Sequence, residues 1–220
     1  MKRIGGIWLL LITAASPSFA QDCCRRGESF GGYSFLSVDA KTDGLISPQF
    51  DSRYAMSRSG YGVPLNGFNQ AINLSQRFAL LFDFSHHAKE LTINNLASGQ
   101  TSFAAAETKI NTNLFLFGAR FNNRSEGSNF FGEAMIGGFN RRVEARDAIL
   151  GNSVKGSNTD LAFALGGGAD VTVGKNVAIR IFQVDYILSR GKADSPPDEN
   201  RLSNNFRFQI GLVFRWGHME

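Results

Sequence analysis

Every second residue is apolar, without a break, over the last predicted strand, between Asn205 and Trp216. The apolar positions are Phe206, Phe208, Ile210, Leu212, Phe214 and Trp216, and the positions between them are Arg207, Gln209, Gly211, Val213 and Arg215. Side chains in a strand project to opposite faces with period two, so this pattern predicts a strand with one apolar wall. At about 3.3 Å per residue and a tilt of about 40°, the wall is roughly 25 Å high, which suits the lipid-facing band of a transmembrane barrel.

Seven earlier segments are also strand-like, and turn-forming residues separate them. The eight predicted strands cover about 29–38, 67–75, 78–85, 110–121, 130–142, 160–173, 177–189 and 205–216. Two of the tight connections are Gln76-Arg77 and Gly174-Lys175-Asn176, which predict hairpins.

The seven predicted connections alternate between long and short. An even number of strands places both termini on one side, so the three short turns would lie at the periplasmic rim and the four long loops outside. This order predicts an all-β, eight-stranded, antiparallel up-and-down transmembrane β-barrel. A soluble lipocalin-like barrel is the alternative, but it needs an apolar interior, and Asp83, Arg207 and Arg215 lie opposite the aromatic stripes.

The N-terminus has the pattern of an export signal. Lys2 and Arg3 precede an apolar run from Ile4 to Ala15, and Ser18-Phe19-Ala20 predicts cleavage before Gln21. The run is shorter than the about 20 residues of a transmembrane helix. Cys23 raises the alternative of a lipoprotein, although Ala20-Gln21-Asp22 is a poor context for lipidation.

Composition is compatible with one domain after that signal. The predicted division is a signal peptide at 1–20, an N-terminal tail at 21–28 and a barrel at 29–217. Without Lys2 and Arg3 the chain has 21 basic and 19 acidic residues, too small an excess for a nucleic-acid footprint. The 20 Phe and 24 Gly favour many closely packed strands. The two cysteines, Cys23 and Cys24, are adjacent and cannot join distant parts of the chain.

Three stretches carry a resemblance to a known family. They are Gly166-Gly167-Gly168-Ala169-Asp170 before a tight turn, Gln183-Val184-Asp185-Tyr186 in the penultimate strand, and the final amphipathic strand ending near Trp216. From Ser29 to Gly217 the chain resembles the OmpA-like outer-membrane β-barrels of Gram-negative bacteria. The resemblance implies residence in the outer membrane and a final strand read by the barrel-assembly machinery. The peptidoglycan-binding domain that often follows such barrels is not expected in this chain. Gly217-His218-Met219-Glu220 extend past the terminal aromatic residue and depart from that pattern.

Charged residues at inward positions predict the chemistry of the barrel interior. The interior of an eight-stranded barrel is just wide enough to be filled by side chains. The acids are Asp83, Glu133, Asp170 and Asp185, and the bases are Arg120, Arg180, Arg207 and Arg215. Because enclosed charges need partners, we expect a salt-bridged polar plug, with an ion pathway as the alternative. Arg180 is out of phase with Gln183 and Asp185, so it should lie at the periplasmic rim or beyond a bulge.

An enzymatic reading rests on Ser85, His86, His87 and Glu90, near the outer end of the third predicted strand. A serine, a histidine and a carboxylate can form an acyl-transfer site, as in a lipid A deacylase, but only as neighbours in space. Adjacent residues in a strand point in opposite directions. No catalytic, metal or cofactor site is predicted here, since no further metal ligands lie near the histidines.

The long loops carry the remaining candidates for function. Arg53, Tyr54, Arg58 and Tyr61 combine cations and aromatic rings, which suits contact with lipopolysaccharide phosphates or a surface partner. The prediction is a monomeric, non-enzymatic barrel that serves envelope integrity or surface interaction and binds no nucleic acid. A lipid-modifying enzyme and a small-solute porin are the alternatives.

Overall fold

A computed structural model describes residues 25–38, 54–56, 66–98, 101–147, 153–191 and 201–218. Nine strands form one antiparallel sheet. They are β1 Gly27–Val38, β2 Tyr54–Met56, β3 Gly67–Asn73, β4 Phe78–Ser98, β5 Thr101–Ser125, β6 Ser128–Asp147, β7 Ser153–Gly174, β8 Val177–Gly191 and β9 Arg201–Trp216. Among these residues, no helix is long and apolar enough to cross a membrane.

Eight of the strands close into a barrel. From β3 to β9 each strand pairs with the next, β1 pairs with β3, and β1 also pairs with β9 from Gly27↔Trp216 to Ser37↔Phe206. The remaining strand, β2, pairs with the outer end of β1. Closure leaves the barrel without an open sheet edge along its wall. The predicted fold, an eight-stranded antiparallel barrel, is confirmed.

The two faces of β9 differ as the alternation requires. The six residues of the predicted apolar face, from Phe206 to Trp216, are exposed on the outer wall, whereas Arg207, Gln209 and Val213 of the other face are fully buried in the lumen. Other strands add exposed side chains such as Phe82, Phe117 and Phe163. The outer surface therefore carries an apolar belt around the barrel, as a lipid-facing wall requires.

Two of the predicted long connections are wrong. The connection expected from Ala88 to about Lys109 is mostly strand, because β4 runs to Ser98 and β5 starts at Thr101. The connection expected from Val143 to Thr159 is also mostly strand in β6 and β7. Apolar alternation ends where a hairpin leaves the lipid, whereas hydrogen bonding between strands continues in water. The hairpins β4–β5 and β6–β7 therefore extend beyond the apolar belt.

The connection between β5 and β6 is tighter than predicted. A turn was expected from Asn122 to Asn129, but the strands continue to Ser125 and restart at Ser128. The two-residue turn between them contains Gly127 with a φ of 76°, a conformation that glycine adopts without steric cost. At the N-terminal end β1 starts at Gly27, so the predicted tail at 21–28 contributes Gly27 and Glu28 to the barrel. The predicted signal peptide lies outside the described residues.

Candidate functional site in the barrel lumen

Arg207 of β9 lies at the centre of the polar interior. Its side chain is fully buried and pairs with two carboxylates, Asp83 of β4 and Asp185 of β8. Its Nε donates to Asp185 at 2.8 Å, and its Nη1 donates to Asp83 and, at 3.1 Å, to the Ser85 hydroxyl. The guanidinium thus connects strands on two sides of the lumen, which suits its planar fork of donors.

Gln183 joins this pair to a second ion pair. Arg120 of β5 donates from Nε and Nη2 to one Glu133 oxygen, at 3.1 and 2.9 Å. The Gln183 amide donates to the other Glu133 oxygen at 2.6 Å and to Asp185 at 3.0 Å. These contacts make one continuous chain of polar side chains from β5 to β9.

A third ion pair depends on an irregularity in β8. The Arg180 guanidinium donates to the Asp170 carboxylate at 2.8 Å and to the side-chain oxygen of Gln183 at 2.6 Å. The β8–β9 register shifts between Arg180 and Gln183, and Ile181 and Phe182 both face outward between them. A bulge that inserts an extra residue lets both polar side chains point inward although their spacing is odd.

Two aromatic rings contact the guanidinium groups of Arg120 and Arg180. The Arg180 guanidinium carbon lies 4.5 Å from the ring centres of both Phe30 and Phe131, and that of Arg120 lies 4.1 Å from Phe131. Cation–π contacts of this kind are favourable where the cation is desolvated. The Phe131 ring contacts both cations, which are almost fully buried.

Glu28 extends the cluster to the end of the barrel that carries the short turns. Its carboxylate accepts from Arg124 at 2.8 Å and lies 3.5 Å from Arg215 and 3.8 Å from Arg120. Arg215 also donates to Thr172 at 2.9 Å and is partly exposed. We call this cluster the lumen network, made of Glu28, Asp83, Arg120, Arg124, Glu133, Asp170, Arg180, Gln183, Asp185, Arg207 and Arg215.

The structure brings all eight sequence-predicted lumen residues into that network. It adds Glu28 and Arg124, which the sequence reading assigned to the tail and to a turn, so five acids face five arginines. Removing one member of such a buried group leaves an uncompensated charge, which is far more costly than removing an exposed ion pair.

The interior also contains apolar side chains. Inward positions also carry an apolar cluster that includes Leu114, Leu116, Met135, Phe139 and Ile187. The sequence reading missed it because runs such as Leu114-Phe115-Leu116-Phe117 are apolar at every position and give no alternation. The lumen is therefore filled by two kinds of packing, one charged and one apolar.

Asn66 bridges the wall where β3 begins. Its side chain accepts from the Ser34 amide at 2.7 Å and donates to the carbonyls of Ser34 and His86, at 2.6 and 3.1 Å. Its backbone amide donates a hydrogen bond to the Gly32 carbonyl, and its backbone carbonyl accepts one from the His86 amide. One residue thus links β1 to β4 beyond the last β1–β3 pair, in the manner of a short piece of strand.

Replacing this residue by alanine, Asn66→Ala, should cost about 1–3 kcal/mol because buried backbone groups lose their partners. Asn140→Ala is the matched control, since Asn140 makes an exposed bond to Thr159, and it should cost well under about 1 kcal/mol. Urea unfolding of the refolded protein in lipid vesicles measures both. Equal small losses would contradict the bridging role.

The candidate acyl-transfer residues do not converge on one site. Ser85 and His87 are fully buried in the lumen, where Ser85 accepts from Arg207 and His87 Nε2 lies 3.0 Å from the Ser34 hydroxyl. His86 lies on the opposite face of the strand with its Nδ1 2.6 Å from Asn113, and Glu90 is exposed and paired with Lys109. The described residues contain no group of three or more His, Cys, Asp or Glu placed to hold a metal ion.

The candidate loop contacts lie mostly outside the described residues. Arg53, Arg58 and Tyr61 lie outside the described residues. Tyr54 starts β2, which pairs Tyr54–Met56 with Leu36–Val38, but only its backbone is described. Contact between these residues and lipopolysaccharide stays a prediction.

Comparison with solved structures identifies proteins that share this fold. No protein-family model and no curated protein sequence matches the chain. Among solved structures, Ail, the attachment invasion locus protein of Yersinia pestis, matches with 14% identity and a TM-score of 0.51, over 88% of this chain and all of Ail. The same protein in complex with the heparin analogue sucrose octasulfate matches with 15% identity and a TM-score of 0.52, over 86% of this chain and 99% of that one.

A further match is Neisserial surface protein A, with 8% identity and a TM-score of 0.50, over 86% of this chain and 97% of that one. At these identities the likeness concerns the fold alone. The chain has the fold of the small eight-stranded outer-membrane β-barrels. That fold fits the OmpA-like family to which the sequence motifs pointed.

Proposed function

We propose that this protein is a non-enzymatic outer-membrane barrel that supports envelope integrity or surface interaction through its outer hairpins. The observation that carries this proposal is the filled lumen, in which Arg207, Asp83 and Asp185 form a buried ion-paired centre. An interior occupied by its own paired charges suits a rigid anchor more than a conduit for solute. The strands that continue beyond the apolar belt supply an ordered surface outside the membrane.

A lipid-modifying enzyme is the second candidate, and it makes a different demand on the structure. A serine nucleophile needs an adjacent base and access to substrate. Here Ser85 and His87 are both fully buried and bond to other residues, Arg207 and Ser34. This placement favours a packing role for both side chains.

One experiment separates the two candidates. Purified, refolded protein is incubated with radiolabelled lipid A, and the products are resolved by chromatography. The proposal expects no released acyl chain above a protein-free control, together with increased uptake of a hydrophobic dye in cells that lack the protein. Release of acyl chains that is abolished by Ser85→Ala would overturn the proposal and favour the enzyme.

The orientation of the barrel gives a further expected result. In a Cys23→Ser/Cys24→Ser background, Lys155→Cys in the long hairpin of β6 and β7 should react with an impermeant thiol reagent on whole cells. Lys175→Cys, in the short turn between β7 and β8, should react only after lysis, because short turns face the periplasm. Both lysines are exposed, so accessibility within the protein does not distinguish them. The reverse labelling pattern would show that the orientation is wrong.

A further inference from the structure

The outer wall of β6, β7 and β8 carries two unneutralised cations just beyond the apolar belt. Arg142 of β6 and Arg190 of β8 are both exposed, and neither has an ion pair or hydrogen bond among the described residues. The neighbouring lysines differ, because Lys109 pairs with Glu90 and Lys155 pairs with Glu144, each at 3.2 Å. Arg142 and Arg190 are thus the exposed cations nearest the belt that have no such partner among the described residues, and Arg146, also exposed, lies four residues further out on β6.

The surroundings of Arg190 are apolar. In the sheet it lies directly between Leu161 of β7 and Leu202 of β9, and both leucines are exposed on the same wall. Directly opposite side chains on neighbouring strands are about 5 Å apart at Cβ, so the cation and the leucines form one continuous surface. A soluble anion would gain nothing from the leucines, whereas a lipid would place its acyl chains against them.

The surroundings of Arg142 are polar. It pairs in the sheet with Ser157, whose exposed hydroxyl offers a further hydrogen-bond donor beside the guanidinium. Below it on the same face, Ile136 belongs to the apolar belt. From the register, the Cα atoms of Arg142 and Arg190 are roughly 16 Å apart, two strands across and four residues along.

We infer that this patch, formed by Arg142, Ser157, Arg190, Leu161 and Leu202, binds a phosphorylated glycolipid of the outer leaflet. Each arginine takes one phosphate, since a guanidinium can bind phosphate with two parallel hydrogen bonds. The leucines contact the acyl chains. The inference rests on the proposed location in the outer membrane and adds a defined site on the barrel wall to it.

The test uses the full refolded protein in zwitterionic phosphocholine micelles. Lipid A with two phosphates, with one, and with none is titrated in, and bound lipid is counted by native mass spectrometry. The unmodified protein should bind the doubly phosphorylated form most tightly and the dephosphorylated form least. The double variant Arg142→Gln/Arg190→Gln should bind doubly phosphorylated lipid A roughly tenfold more weakly.

A matched double variant controls for net charge. Arg26→Gln/Arg77→Gln also removes two exposed arginines, but at the end of the barrel that carries the short turns. Its affinity for lipid A should stay within about twofold of the unmodified protein. An equal loss in both double variants, or binding that ignores the phosphates, would overturn the inference. Displacement of the lipid by millimolar inorganic phosphate would instead indicate a site for free anions and would also overturn it.

The same mass spectra test the lipid A site and the non-enzymatic function separately. Lipid A that binds intact supports the site and leaves the non-enzymatic proposal in place. Lipid A that is bound and cleaved would overturn the non-enzymatic proposal while supporting the site. Intact lipid A that does not bind would overturn the site alone.

Discussion

Substitution of the central lumen arginine, Arg207→Met, should lower the free energy of unfolding by about 3–5 kcal/mol. The change leaves the carboxylates of Asp83 and Asp185 in the lumen without their cation, and both are fully buried. Methionine retains much of the side-chain volume, so loss of packing contributes little. Urea unfolding of the refolded protein in lipid vesicles measures the change.

Two further variants show whether charge is the cause. Arg215→Met removes an arginine 3.5 Å from Glu28, and Glu28 keeps Arg124 as a partner at 2.8 Å, so no carboxylate is left unpaired and about 1 kcal/mol or less is expected. Combining Arg207→Met with Asp83→Asn and Asp185→Asn removes the stranded charges and should recover much of the lost stability. A triple variant as unstable as the single one would contradict the electrostatic explanation.

Placing a charge on the lipid-facing wall should have the second large effect. Leu212→Arg puts a guanidinium on the outer face of β9, where Leu212 is 44% exposed between Ile210 and Phe214. Arginine near the middle of the bilayer costs about 2–4 kcal/mol in transmembrane barrels. Unfolding from vesicles and the yield of refolded protein both report this loss.

Leu202→Arg is the matched control for depth. Leu202 lies on the same strand and the same face, but at the outer end, where it pairs with Arg190. The cost of arginine falls to about 0–1 kcal/mol near the membrane interface. Equal losses for Leu202→Arg and Leu212→Arg would mean that the belt does not follow the predicted face or depth.

The strand count and the facing of side chains were predictable because both depend on local alternation. A strand with lipid on one side and a polar lumen on the other must alternate, and β9 does so from Phe206 to Trp216. The ends of β4 and β5 were not predictable in this way. Beyond Ala88 the sequence has polar residues on successive positions, as in Lys89-Glu90 and Asn94-Asn95, so the alternation that predicts a strand disappears while the strand continues.

The lumen network was predictable only in part. Arg207 and Asp185 follow from their inward phase, but Glu28 precedes the first predicted strand and Arg124 lies in a predicted turn. The inward rings of Phe30 and Phe131 contradict the expectation that aromatic residues face lipid, and Phe131 adjoins the outward Phe130. The contacts of both rings with Arg180 depend on the bulge in β8 and on long-range packing. Neither of these can be recognised from the local sequence.

Single-channel recording in planar bilayers tests the central claim most directly, that the lumen is closed by its own side chains. The unmodified protein should insert without stable, large conductance steps, because the lumen network and the apolar cluster fill the bore. Arg207→Met should lose stability without opening a channel. Stable, large conductance of the unmodified protein would contradict the closed lumen and favour a porin over an anchor for surface interaction.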